Sequence, residues 1–188
     1  MNLPTLVTIA RMVLIPVFVV VYFVPARFNY LASALCFGVA AITDWLDGYL
    51  ARRLHQTTPF GAFLDPVADK LIVVTALVLL IGAHSNAWLT LPGVVIVGRE
   101  IVISALREWM AEVSRKRLIA VTWVAKVKTT LQMIALFVLL ANPPDLDLWM
   151  VKAGYLLLYG AAIATLWSMF VYLHAAWPTL KSALVPRH

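Results

Sequence analysis

Four aspartates inside an almost wholly apolar stretch constrain this chain more than any other feature: AITDWLDGYLARRLHQTTPFGAFLDPVADK, positions 41–70. Asp44 and Asp47 stand three apart, Gly48 and Ala51 continue the same helical stripe, and Arg52 follows. Beyond the next eight residues, Gly61, Asp65 and Asp69 step by four. On helices, each block puts two carboxylates and small residues on one face. An ionised carboxylate at bilayer depth costs at least ~2.5 kcal/mol, so four of them require bound ions or a wet, protein-lined cavity. Oxygen-only ligands with no Cys or His cluster favour Mg²⁺, Mn²⁺ or Ca²⁺ over zinc. Gly48, Ala51 and Gly61 leave room for something bulky to approach the backbone. The plain alternative is a set of solvated acidic helix ends, and it runs against the rule that intramembrane acids are functional.

The setting is a membrane. Hydrophobic residues make up 63% of the 188 and charged residues 13%, a balance that excludes an ordinary soluble core. The basic residues giving the net charge of +6 sit between hydrophobic runs, which points to a membrane surface and anionic phosphates and away from nucleic acid. A single cysteine, Cys36, excludes an internal disulfide framework. Met1 to Ala10 has no basic start and is not read as a cleavable signal. Asn2 to Arg11 reads as a short N-terminal interfacial helix, with Arg11 either snorkelling or lining a polar cavity.

The expected architecture is all-α: one domain over residues 1–188, a bundle of six transmembrane helices each near the ~20 residues a span needs. Spans are expected at Thr8–Val24, Tyr30–Arg52, Gly61–Ala83, Trp88–Ala111, Leu118–Ala141 and Trp149–His174, separated by breakers such as Pro25, Pro59 and Asn142-Pro143-Pro144. Arg52, Arg53, Arg115, Lys116, Arg117, Lys181 and Arg187 fall on one side against Arg27 and Lys152 on the other, and the positive-inside rule makes the richer side, with both termini, cytoplasmic. The tryptophans Trp88, Trp149 and Trp177 near span ends read as interfacial anchors, as do His55 and His174.

All four aspartates then lie within roughly 10 to 15 Å of the cytoplasmic boundary, at ~1.5 Å per residue. Arg99 and Arg107 on the fourth span and Lys126 and Lys128 on the fifth approach the same depth, so opposed acids and bases make one polar chamber. Glu100 could pair with Arg99, and Glu108 or Glu112 with Arg107 or Arg115, as purely structural ion pairs. Four cations with only Glu100 and Glu108 nearby nevertheless leave a positive excess, suited to phosphate through arginine's bidentate geometry. Thr129, Thr130 and Gln132 could add neutral hydrogen bonds.

The skeleton Asp44-x₂-Asp47-Gly48-x₂-Ala51-Arg52-x₈-Gly61-x₃-Asp65-x₃-Asp69 resembles, at every position, the signature of the CDP-alcohol phosphatidyltransferase family. NLPTLVTIARMVLIP, GREIVISALREWMAE and VAKVKTTLQM extend the resemblance along most of the chain, towards bacterial members that use glycerol 3-phosphate. The resemblance implies transfer of a phosphatidyl group from CDP-diacylglycerol to the hydroxyl of sn-glycerol 3-phosphate, releasing CMP. It implies two divalent cations, Mg²⁺ or Mn²⁺, held by Asp44, Asp47, Asp65 and Asp69, with Asp69 also the general base. Asp44, Gly48, Ala51, Arg52 and Gly61 match the positions that bind the CDP-linked donor, and Thr5 and Thr8 are further candidates for that contact. A homodimer in the bacterial cytoplasmic membrane, with no nucleic-acid partner, is also implied.

The residues support this chemistry without the name. Two divalent ions can bridge a pyrophosphate and stabilise the departing CMP, and a carboxylate beside them can take the acceptor's proton. An acceptor that itself carries phosphate explains why Arg99, Arg107, Lys126 and Lys128 gather in one region. Two other readings remain: serine, inositol or phosphatidylglycerol as acceptor, or a divalent-cation transporter. Acids confined to one leaflet, and the absence of an internal repeat, argue against transport.

Overall fold

The computed structural model describes residues 3–54, 59–113 and 122–184, with side chains omitted at 3–5, 44–60, 62, 111–126, 178–180 and 182–184. Every described element is helical: α1 Leu3–Phe23, α2 Asn29–Leu54, α3 Pro59–His84, α4 Ala87–Val113, α5 Thr122–Leu140 and α6 Trp149–Leu184. Stretches long and apolar enough to cross a membrane lie in four of them, at Leu6–Phe23, Phe63–His84, Ala87–Met110 and Trp149–Trp177. In α2 and α5 the described side chains form the apolar runs Asn29–Thr43 and Val127–Leu140.

Two expectations change. The N-terminal segment is not a separate helix, because α1 runs unbroken from Leu3 to Phe23. Pro4 sits at the start of that helix, where its missing N–H costs nothing, and no breaker separates it from the apolar run. The last helix continues past His174 to Leu184, since the chain beyond opens with the strong helix formers Ala175 and Ala176.

Packing is set by which faces can interlock. Helix α1 lies against α2 and α3, α5 against α6 and α2, and α4 against α6 and α3. Phe18 and Phe37 meet edge to face at 6.1 Å, and Ser33 Oγ donates to the Phe18 carbonyl at 2.9 Å, fixing α1 to α2. Gly154 lets α6 approach α5: a Cβ there would stand 2.8 Å from Leu139 Cδ2. Leu77, Leu80, Leu136, Leu139, Leu140 and Leu158 fill the centre, while Val20, Val78, Val94, Ile101, Leu156 and Ile163 face outward. An apolar outer surface is unfavourable in water and is what hydrocarbon requires.

One end of the bundle is stitched by polar groups. Ser85, in the left-handed region at φ 46°, turns the chain out of α3. Asn86 Oδ1 then accepts from Leu89 N at 3.0 Å, capping α4, while its Nδ2 donates to Tyr155 Oη on α6 at 2.8 Å. Tyr155 Oη lies 3.0 Å from His84 Nδ1, which joins α3, α4 and α6. The opposite end of α3 carries the aspartates.

Candidate active site

The acidic side is built by α1 and α3 as two rungs. Asp65 and Asp69, four residues apart on α3, face Thr8 and Arg11, three apart on α1. Thr8 Oγ1 donates to Asp65 Oδ1 at 2.7 Å, and Arg11 Nη1 donates to Asp69 Oδ1 at 2.6 Å. The matching steps of three and four are those of helix faces, so this register follows from the α1–α3 packing. Thr8 and Arg11 are buried, the latter 1% exposed, whereas the Asp69 side chain is 48% exposed. The guanidinium thus lies beneath a carboxylate that faces open space. Arg11 is not snorkelling; it belongs to the polar cavity.

Next to this pair is a cavity of about 530 Å³. Arg11, Asp69, Thr129 and Thr130 form its polar part, and Ile42, Ile72, Val73, Met133 and Ile134 stand among its apolar walls. It is therefore amphipathic, with charge at one edge and a hydrocarbon-like lining elsewhere.

A basic cluster forms where α4, α5 and α6 meet. Glu100 Oε1 accepts from Arg99 Nη1 at 2.9 Å and from Lys128 Nζ at 3.1 Å. Arg99 Nη2 donates to Ser168 Oγ at 3.2 Å, and the Arg107 guanidinium lies 5.4 Å from the centre of the Tyr172 ring. Arg99 and Lys128 are buried and Arg107 is exposed. Two of the predicted acceptor-binding cations are therefore engaged with Glu100 and share one carboxylate.

Several candidates lie outside this view. Asp44, Asp47, Gly48, Ala51 and Arg52 belong to α2, but their side chains, with those of Thr5 and Lys126, are outside the described residues. Gly61 is buried in the first turn of α3.

The family model described as CDP-alcohol phosphatidyltransferase matches residues 1–173, nearly the whole chain. The chain belongs to the CDP-alcohol phosphatidyltransferase family. A protein of Pseudomonas fluorescens named CDP-diacylglycerol--glycerol-3-phosphate 3-phosphatidyltransferase is 59% identical over 97% of this chain and 93% of its own length. Proteins of the same name from Escherichia coli K12 and Salmonella paratyphi A are 53% and 54% identical, each over 93% of this chain and 94% of their own.

A phosphatidyltransferase of this family is expected to use divalent cations, and the described residues fit them. Asp65 and Asp69 share one face of α3 and offer hard oxygen donors. Thr8 and Arg11 each hold one oxygen of these carboxylates in place, as hydrogen-bond partners behind a metal-binding carboxylate would. Among the described residues, no group of three or more His, Cys, Asp or Glu is close enough to hold an ion; the side chains of Asp44 and Asp47 are not among those described.

Sequence reasoning missed the contribution of α6. Thr165, Ser168 and Tyr172 recur at helical spacing within an apolar run, with Ser168 on Arg99 and Tyr172 under Arg107. That stripe is visible in the sequence once it is sought; which cations it meets is not.

Proposed function

We propose that the chain transfers the phosphatidyl group of CDP-diacylglycerol to a hydroxyl of sn-glycerol 3-phosphate, giving phosphatidylglycerol phosphate and CMP. The observation that carries this reading is the end-to-end similarity to enzymes named for that reaction, at 59% identity over 97% of the chain. The site chemistry supports it from below. A half-exposed carboxylate, an amphipathic cavity and a basic cluster answer to the three parts of the reaction: a hydroxyl to deprotonate, a lipid to admit and a phosphate to hold.

Asp44, Asp47, Asp65 and Asp69 would hold two divalent cations, Mg²⁺ or Mn²⁺. When bound, these supply positive charge across the donor's pyrophosphate and on the departing CMP. The chain's own groups do the rest. Asp69, aimed by Arg11, accepts the proton of the acceptor hydroxyl. The freed oxygen attacks the phosphorus that bears the diacylglycerol. The bond from that phosphorus to the CMP oxygen breaks, and CMP leaves with the bonding pair. Gly48, Ala51, Arg52 and Gly61 are the contacts expected for the CDP moiety, with Thr5 reaching the same donor. Thr8 braces Asp65. The apolar walls around Ile72, Val73 and Met133 keep water from competing with the acceptor. Arg99, Arg107, Lys126 and Lys128 surround the acceptor's phosphate.

The same reading makes the chain a six-span bundle over residues 1–188, with both termini and the chamber on the cytoplasmic side of a bacterial inner membrane, working as a homodimer. The test is CMP release by purified protein with CDP-diacylglycerol and Mg²⁺, comparing glycerol 3-phosphate, glycerol, serine, inositol and phosphatidylglycerol. Turnover with glycerol 3-phosphate alone supports the assignment. Turnover with another of these alcohols keeps the donor and discards the acceptor, and no turnover with any discards the reading.

A further inference from the structure

A single carboxylate holds two buried cations from different helices. Glu100 Oε1 accepts from Arg99 Nη1 at 2.9 Å and Lys128 Nζ at 3.1 Å, so these nitrogens are at most 6.0 Å apart. One phosphate group can meet donors at that separation with two of its oxygens. An ion pair serving only the fold would be neutral, because uncompensated buried charge is strongly destabilising. Among the described residues this cluster is not neutral. Arg107 is close enough for its charge to act on both Arg99 and Lys128, so three described cations face the Glu100 carboxylate and two positive charges remain. A phosphate monoester carries about −1.5 to −2 at neutral pH, which matches that surplus. Arg99 Nε is buried without a partner among the described residues, leaving an unused donor on the same guanidinium.

We propose that Glu100 is a positioning residue of the acceptor-phosphate subsite: its Oε1 sets Arg99 and Lys128 against each other so that their surplus charge meets the acceptor's phosphate. The inference rests on the reading of this cluster as that subsite. It assigns Glu100 no contact with substrate. Its role is to fix where two cations stand, and secondarily to limit their net charge.

Two substitutions separate position from charge. Glu100→Gln keeps an oxygen at the place of Oε1 and removes the charge, whereas Glu100→Asp keeps the charge and withdraws it by one methylene. The measurements are KM for glycerol 3-phosphate, KM for CDP-diacylglycerol, kcat and thermal midpoint, on purified full-length protein in mixed micelles. Misplacing both cations should raise the acceptor KM about tenfold in Glu100→Asp and under about threefold in Glu100→Gln, with the donor KM unchanged in both. An unchanged acceptor KM in Glu100→Asp overturns the proposal, as does a parallel rise in both KM values. A Gln variant worse than the Asp variant also overturns it, since charge and not placement would then be what the site needs. Arg107→Ala tests the underlying subsite. If it raises the donor KM instead of the acceptor KM, the subsite and this inference fall together. If it raises the acceptor KM while Glu100→Asp does not, only the role of Glu100 falls.

Discussion

Asp69→Asn separates a catalytic carboxylate from a structural one by magnitude. The substitution preserves shape and leaves an oxygen able to accept from Arg11 Nη1, now 2.6 Å from Asp69 Oδ1. What disappears is the charge. Hydrogen bonds to charged groups contribute about 1.5–3 kcal/mol and neutral ones about 0.5–1.5, so the intrinsic loss is about 1 kcal/mol. With the Asp69 side chain 48% exposed, solvent screening reduces that further. For a chain of this size about 1 kcal/mol corresponds to a midpoint shift of about 2–4 °C, so the variant should remain folded. Loss of a general base lowers turnover by about 10²- to 10⁴-fold. Thermal unfolding and CMP release in the same micelles should therefore diverge, with a small shift in midpoint beside a collapse in rate. Turnover within tenfold of the parent would refute the assignment of Asp69 as base, and a midpoint lowered by more than about 10 °C, well beyond that shift, would make the Arg11–Asp69 pair chiefly structural.

Other perturbations test neighbouring parts. Thr8→Val removes the donor on Asp65 Oδ1, and loss of such an outer-shell partner should raise the Mg²⁺ needed for half-maximal turnover by about 10- to 100-fold; an unchanged Mg²⁺ curve argues against Asp65 as a ligand. Stripping divalent cations with a chelator should stop CMP release, and Mg²⁺ or Mn²⁺ should restore it; full turnover in excess chelator counts against any metal site. Gly154→Ala places a Cβ 2.8 Å from the buried Leu139 side chain and should cost about 1–3 kcal/mol, read as a lower unfolding midpoint; no change would mean that α5 and α6 separate more easily than their packing indicates.

The aspartates were legible in the sequence because charge in an apolar run is so costly that it demands an explanation, and their spacing named the faces. The helices were legible from hydropathy and from breakers such as Pro59 and Asn142-Pro143-Pro144. Pairing was not. Periodicity identifies the face a residue occupies but not the neighbour that face will meet, so Glu100 could be matched with Arg99 while its second cation, Lys128 on α5, could not be foreseen. Arg11 illustrates the same limit. Its position near the start of the expected first span allowed both a snorkelling role and a buried one, and only the packing of α1 on α3 decides between them. Boundaries failed where nothing local marked them, at the start of α1 and in the extension of α6.

The burial of Arg11 beneath Asp69 has a consequence for the order in which the bundle is put together. Arg11 lies on the first helix of the chain and Asp69 on the third, so the two groups can meet only once α3 is in place. A charge within an apolar helix is costly until it is compensated, so the docking of α3 is the step on which the settled position of α1 depends.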